Sequence, residues 1–556
     1  MWKPTILKFF LIASVFFPAL AYPAAPPAGS LKLRINFKDS QGMFNFYQSQ
    51  NIPDNSAKSL RNVDFLRNGS LTPALGISSY AVTLGAVAYY LPGLIPSGDI
   101  FVFFSSASPN IGIEGDNFFI AKFSTSLHFI QAGGGRPGIG SFDRGIVAEG
   151  FTTQIDGANF GKRFFLVSSN NSGMRIGVNP TAPTSLEAVY LSTISNGQCA
   201  AVHLSRLLVS CFQSSPTTID YSKDDNPQAF PIENKLTLTG SDTEGDRVIG
   251  MGPTLLQNLP IYTLNTTRLM TGTEFPDFGV GGNLIVRVIS SDVGCINRRT
   301  IKNLGNRQYF YSGGINGRVP GIYSFNGVSV SERSKKIRNF FRDSVDSSTT
   351  DAKPSGFIDR DRYCLNVASK NGTYPVYTIC IDEQDNPFIY EGVSIDAAVS
   401  YNGELYVIPS YNDPRVNRTY SSVYKYNSGF INEAITASNG KLIPWHYTTK
   451  DYDFGDASKQ KIPDRTYISY ENTPSSFTVR ASFDFGKSSM TWVINSSTVY
   501  NSNPNITTLV YSTSTMMAKL TYPSDARFNY LNFDIRSSTY ASIDYMETYA
   551  VPLELR

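Results

Sequence analysis

The sequence predicts an all-β protein, a β-propeller followed by a C-terminal β-sandwich-like domain, and three observations carry that expectation. Aromatic content is high, with 32 Tyr and 37 Phe, and aromatic side chains favour half-buried pleated surfaces. Turn formers are spread along the whole length, 44 Gly and 31 Pro, and they cut the chain into short segments. The third is a repeated hairpin grammar. Arg307–Ser312 and Gly321–Phe325 flank Gly313, Gly314, Asn316 and Gly317, the punctuation of a β-hairpin. A second copy lies at Glu404–Gly429, about a hundred residues on. With blades of ~40–50 residues, that interval is two blades.

Taken in order, residues 1–21 carry Lys3 and Lys8, an apolar run from Phe9 and the small-x-small end Ala19-Leu20-Ala21. These are the physical parts of a secretory signal, and the run is too short for a comfortable membrane span. The bland alternative is an apolar arm that docks on a neighbour. Residues 22–29 read as an extended linker, so the expected organisation is 1–29 signal-like segment and linker, 30–440 propeller and 441–556 sandwich-like domain.

Leu31–Phe37 alternates cleanly as an amphipathic strand. Short runs then follow one another, among them Asp99–Ser105, Asn117–Phe123, Lys162–Ser168, Leu186–Leu191, Cys199–His203 and Arg206–Phe212. Nothing here alternates with long helices, which argues against a βαβ enzyme. One short helix is expected over Ser331–Phe341, because Ile337, Phe340 and Phe341 share a face at i, i+3, i+4. From Ile443 to Leu555 about seven further strands are expected, the quota of a β-sandwich.

Charge selects no partner globally, since the net charge is +3 with 17% charged residues. Locally, Asp292–Arg342 holds ten Lys or Arg against two acids, a net +8. Arg298, Arg299, Lys302, Arg333, Lys335, Lys336 and Arg338 are therefore candidates to face DNA phosphate or an acidic partner, against the commoner outcome of a solvated face.

Motifs for chemistry are thin. Gly133–Gly138 matches G-x-G-x-x-G by letters, but no helix follows it to hold a pyrophosphate, so a surface loop is expected. Asp242, Glu244 and Asp246, and separately Asp382, Glu383 and Asp385, gather carboxylates without EF-hand spacing. With three His in 556 residues, His128 and His203 in apolar runs read as core and His446 beside Trp445 as packing. A carboxylate pair assembled from separate strands would be glycosidase chemistry, which sequence alone does not resolve. The expectation is a non-enzyme with no cofactor and no metal. Of five Cys, Cys199 with Cys211 and Cys364 with Cys380 each bracket a hairpin, and Cys295 is left over. In an oxidising compartment the pairs are cross-strand disulfides; in a reducing one they are buried thiols.

The order of segments resembles the β-propeller proteins of short-tailed bacteriophage tails, the tail hub, nozzle or packaged-DNA stabilisation proteins. The resemblance is carried by Ser59–Tyr80, by Arg247–Gly272, and by Gly294–Phe341 with its GIYSFNG hairpin end and SxxIxxFF helix. It continues through Trp445–Gly455, Arg465–Gly486, Phe528–Arg536 and Met546–Arg556. It implies a structural virion protein with no catalytic residues. Copies would form a homo-oligomeric ring, expected six-fold, that extends the DNA exit channel and retains packaged DNA. The ring would dock the connector or adaptor above and fibre or spike proteins around it, with double-stranded DNA passing through. The alternative is a secreted or periplasmic propeller that binds a protein or glycan, exported through residues 1–21.

Overall fold

The computed structural model describes residue 27 and most of 29–553. The longer stretches outside it are 80–98, 105–116, 132–141, 149–154, 179–185, 239–245, 347–353, 410–423, 433–440 and 502–508. The signal-like segment, Gly133–Gly138 and the Asp242–Glu244 part of one acidic cluster lie outside the described residues.

Seven four-stranded antiparallel sheets follow one another along the chain, at 99–148, 155–191, 199–237, 248–290, 302–332, 355–391 and 395–426. Each of the first six is a meander in sequence order. The seventh takes three strands from 395–426 and its fourth, Ile77–Ser79, from far upstream, with Tyr424↔Ser79 and Tyr426↔Ile77 in register. The first strands of successive blades pack on one another around an axis, except between blades four and five, and blade seven meets blade one. The result is a closed seven-bladed propeller, and its closure by an N-terminal strand ties together residues more than 300 apart. Radial closure leaves only short edges available for unwanted pairing.

Local sequence explains the blades. In blade five, Arg307–Ser312 and Gly321–Phe325 pair with Phe310 opposite Tyr323, and every residue of the second strand is buried. Continuous rather than alternating burial follows because a middle strand has a blade on either side. The second copy of the hairpin grammar supplies Glu404–Pro409 and Tyr424–Tyr426 of blade seven, two blades on. The strand bounds Asn117–Phe123, Leu186–Leu191 and Cys199–His203 are those read from sequence.

The helix is shorter than expected and begins later. Val330–Glu332 is the fourth strand of blade five, paired with Tyr323–Phe325. A 3-10 turn, Lys335–Ile337, then leads into the α-helix Arg338–Ser344. Ile337, Phe340 and Phe341 are all buried, so the apolar face was placed correctly while strand pairing claimed the first turn.

Apart from the two-stranded pair Ile431–Asn432 and Lys441–Leu442, the remaining strands form two facing sheets. One runs Val63–Phe65, Leu71–Pro73, Ile543–Pro552, Lys461–Glu471, Thr515–Thr521, Leu509–Tyr511, with Leu31–Asn36 also on Ile543–Pro552; the other runs Ala57–Arg61, Trp445–Thr449, Leu531–Ser537, Phe477–Phe483, Ser488–Ile494, Val499–Asn501. Residues 31–73 thus supply four strands of the sandwich, not the start of the propeller that a boundary at residue 30 implies. The pairing of Leu31 with Ala550 sets the apolar face of this amphipathic strand toward the sandwich core, where Ile35 is buried. Phe477–Phe483 alternates buried and less buried positions, as a sheet packed on one face requires.

Sandwich and propeller share one apolar core, in which Phe37, Trp445, Val479 and Met546 connect with Phe341, Tyr363, Cys364 and Ile389. The polar seam is equally specific. Asn62 donates its N–H to the Ile389 carbonyl at 2.9 Å, its Oδ1 accepts from Glu391 N at 2.5 Å, and Arg61 pairs with Glu391 at 2.5 Å. Arg362 reaches Asp64 at 3.0 Å while stacking on Phe388 with its guanidinium 4.1 Å from the ring centre.

Candidate functional site

A cavity of about 390 Å³ lies on the propeller axis, lined by the first strands of blades two, three, four, six and seven and by the lead-in to blade five. Small residues recur in its walls, among them Gly157, Ala158, Ala200, Ala201, Gly356 and Ala397, beside the larger Ile155, Met251 and Ile301. A Cβ at Gly157 would run into Phe164, and one at Gly356 into Tyr363 and the Thr300 carbonyl, so at these two positions close packing between strands requires glycine.

The seam between blades four and five differs from the others. Here the 3-10 turn Arg298–Thr300 packs on the first strands of blades four and six. Asn297 caps the turn, its side chain accepting the Arg299 N–H at 3.0 Å. Thr300 Oγ1 donates to the Asn297 carbonyl at 2.7 Å and accepts from Tyr311 N at 3.1 Å. Anchored this way, the turn sets Arg298, Arg299 and, two residues on, Lys302 around the cavity. Opposite stands Asp156 in blade two. Its carboxylate accepts N–H groups from Gly157 at 2.9 Å and Ala200 at 3.0 Å, and Arg298 Nε lies 3.6 Å away.

The other candidate bases go elsewhere. Arg333 forms an ion pair with Asp385 at 2.9 Å, Lys336 donates to Asn386 at 2.6 Å, and Arg338 grips Glu332 through both carboxylate oxygens. Burial pulls the Lys336 pKa down against the opposing pull of Asp382 and Asp385. Burial also raises the Asp385 carboxyl, with Arg333 and Lys336 opposing. The hydrogen bond to Glu332 raises Arg338. Of this group Lys335 is the exposed one. The run therefore divides: Arg298, Arg299 and Lys302 meet at the axis, and Arg333, Lys336 and Arg338 are held at the rim between blades five and six and the sandwich.

Within the acidic turn Asp382–Asn386, which also carries the partners of Arg333 and Lys336, Asp382 satisfies the backbone. Asp382 Oδ1 accepts the N–H groups of Gln384 and Asn386, and Oδ2 accepts the Asn386 side chain. Asp246 likewise holds Thr263 Oγ1 and the Asn265 N–H. Among the described residues no group of three His, Cys, Asp or Glu is placed to hold a metal ion. His203 is buried, with Nδ1 3.2 Å from Thr254 Oγ1, and His446 lies 2.9 Å from Ser59 Oγ. Burial lowers the pKa of each.

Cys199 is bonded to Cys211 and Cys364 to Cys380, the latter pair directly opposite each other in the sheet. Cys295 is free and buried beneath the cavity-bearing turn, and burial pushes its thiol up to about 11. Among the described residues no helix is long and apolar enough to cross a membrane.

No family model and no curated protein matches the chain. Solved structures similar to it include YCF48 from Cyanidioschyzon merolae, 11% identical over 60% of this chain and 97% of that one, TM-score 0.33. Another is the dihydro-heme d1 dehydrogenase NirN in complex with DHE, 10% identical over 79% and 83%, TM-score 0.36. A third is the extracellular domain of a putative one component system from B. thetaiotaomicron, 9% identical over 86% and 62%, TM-score 0.37. At such scores the likenesses carry no functional argument, and the propeller stands on its own strand order.

Proposed function

We propose that this chain is a structural, non-catalytic component of a short-tailed phage tail, a block whose copies close into a ring around the DNA exit path. The order of its segments supports the reading, and so does one observation: the strands of 31–73 and 445–552 interleave into a sandwich joined to the propeller through one apolar core. A ring of head-to-tail contacts closes at a single subunit number only when the subunit is stiff, and this construction removes the hinge between two domains. The axial cavity, at about 390 Å³, has the size of a small-ligand pocket, so in this reading DNA travels through the bore between copies. Electron microscopy of the purified chain tests it. Closed rings with an open bore are expected; monomers at every concentration would overturn it.

A second reading is favoured by two disulfides together with the signal-like residues 1–21. In it the chain is exported and its propeller binds a protein or glycan. Mass spectrometry separates the two: a mature N-terminus near Tyr22 supports export, and an intact one in purified particles supports the virion.

A further inference from the structure

We infer that Lys336 and Asn386 join through an isopeptide bond, which the chain forms on itself with loss of ammonia and with Asp382 as the proton carrier, so that the segment leaving blade five is covalently tied to blade six. The bond goes beyond the tail reading and stands whether or not copies assemble into a ring. Three observations carry it. The groups the reaction needs are already in contact, although the two partners are 50 residues apart. Lys336 Nζ donates to Asn386 Oδ1 at 2.6 Å, and Asn386 Nδ2, the leaving nitrogen, donates to Asp382 Oδ2 at 2.8 Å. Both partners also sit on fixed turns. Lys336 lies in the 3-10 turn Lys335–Ile337, closed by the Ile337 N–H on the Ser334 carbonyl at 3.0 Å. Asn386 belongs to the hairpin turn between the last two strands of blade six, where Asp382 Oδ1 accepts the Gln384 and Asn386 N–H groups at 2.9 and 2.8 Å and Arg333 pins Asp385 at 2.9 Å. Finally, a distant stretch of chain roofs the pair. Met43 N–H donates to the Pro387 carbonyl at 3.0 Å, Asn45 N–H donates to the Lys336 carbonyl at 3.1 Å, and the buried Phe44 between them holds its ring centre 4.9 Å from Lys336 Nζ.

The free amine is the nucleophilic form of lysine, and burial pulls the Lys336 pKa down toward it, against the opposing pull of Asp382 and Asp385. The amine attacks Asn386 Cγ, the atom next to the oxygen it already contacts, and its surplus proton passes through the Asp382 carboxylate to Nδ2. The Cγ–Nδ2 bond then breaks with its electron pair, ammonia leaves, and a new Nζ–Cγ amide remains, so the step balances without an oxidant. Exchange between a free amine and a free amide is slow, and fixed geometry supplies what it lacks, because well-oriented intramolecular pairs reach effective concentrations on the order of 10⁵–10⁸ M. Asp385 is the poorer electrophile: its carboxylate is held by Arg333 and has no amine to expel.

Mass spectrometry of the full chain, purified folded and then reduced and digested, tests the bond. The expected result is an intact chain lighter than its sequence by one ammonia and a branched peptide in which Lys336 is joined to Asn386. Asn-Gly sites such as Asn326-Gly327 lose ammonia on closing to succinimides, so the branched peptide and not the intact mass decides. Lys336→Arg keeps the positive charge and has no amine to give, and Asp382→Asn keeps the side-chain shape without a carboxylate to carry the proton; each should yield the linear peptides alone. Linear peptides alone from the unaltered chain, or a branch at Asp385 with loss of water, overturn the bond, and a branch formed as fully in Asp382→Asn overturns the role given to Asp382. Because the unaltered chain supplies the deciding digest, the proposal stays falsifiable even where a variant misfolds.

Discussion

The joint between sandwich and propeller predicts a large effect from one arginine. Arg362 in blade six donates from Nη1 to Asp64 of the sandwich at 3.0 Å and to the Tyr390 hydroxyl at 3.0 Å, and its guanidinium lies over Phe388. The two charged side chains retain only 18% and 23% of their exposure. Burial works against the guanidinium's charge, but the Tyr390 hydroxyl and the Asp64 carboxylate outweigh it and hold its pKa above the usual value. Breaking a fully buried pair costs about 3–5 kcal/mol. With a fifth of each group still wet, about 2–3 kcal/mol is the appropriate share, and loss of the cation–π contact adds about 1 kcal/mol. Arg362→Ala should therefore destabilise the joint by roughly 3–4 kcal/mol on this reckoning. Asp64→Ala, which leaves Arg362 with Tyr390 and Phe388, should cost about 2 kcal/mol, with a coupling of about 1–2 kcal/mol in the double-mutant cycle. Of the three Trp in the chain, Trp445 and Trp492 are buried in the sandwich. Their fluorescence in a urea titration reports that part separately from far-ultraviolet circular dichroism, which sees all the strands. The expected result is a Trp transition that moves to lower urea in Arg362→Ala and separates from the strand transition. A midpoint unchanged in that variant, or a coupling below about 0.3 kcal/mol, would refute a joint held by this pair.

Three further predictions follow from other parts of the chain. Thiol titration without reductant should find no reactive thiol in the native protein and one per chain after unfolding, since Cys295 is buried with its pKa raised to about 11 and the other four Cys are paired; replacing Cys364 and Cys380 by Ala should cost about 3 kcal/mol, the loop-closure value for a separation of 16 residues. Burial depresses the His203 and His446 pKa values, so below about pH 6.5 the unfolded chain binds protons that the folded one does not; stability should fall on acidification from pH 7 to 5, by at most about 1.4 kcal/mol per pH unit per His, and the slope should flatten in the variant His203→Gln with His446→Gln. Gly252→Ala should cost about 1–3 kcal/mol in chemical denaturation, because a Cβ there overlaps the Gln308 amide, which is fixed by Tyr262, Asn303 and the Pro253 carbonyl.

The blades were legible because their signal is local. Arg307–Ser312 and Gly321–Phe325 need only aromatic runs and a glycine-rich turn to declare a hairpin, and the structure keeps those bounds. What sequence did not disclose was pairing over distance. Leu31–Asn36 alternates as any half-buried strand does, and nothing in those six residues says that the partner is Ile543–Pro552. The same holds for Ile77–Ser79, three residues that complete the seventh blade. At Val330–Glu332 the helical expectation failed because the hydrogen bonds of Tyr323–Phe325 were available to a strand.

The site was half legible for a related reason. The basic run at 298–338 stands out in composition, yet composition does not distinguish a cation at the axis from one at the rim. Arg298 and Arg338 both pair with an acid, Asp156 and Glu332 respectively. What separates them is the small-residue lining around the first. A usable signal did exist: the opening strands of blades two, three, six and seven carry Gly157-Ala158, Ala200-Ala201, Gly356 and Ala397-Ala398. In these four blades small residues mark the inner strands, where blades crowd toward the axis, whereas blade one opens on Asp99–Phe104 with no small residue. Read beside that recurrence, a stretch that brings Arg298, Arg299 and Lys302 to the opening of its unit sets its charge at the axis and not at the rim, a distinction that depends on which strand is innermost and so on the fold and not on composition.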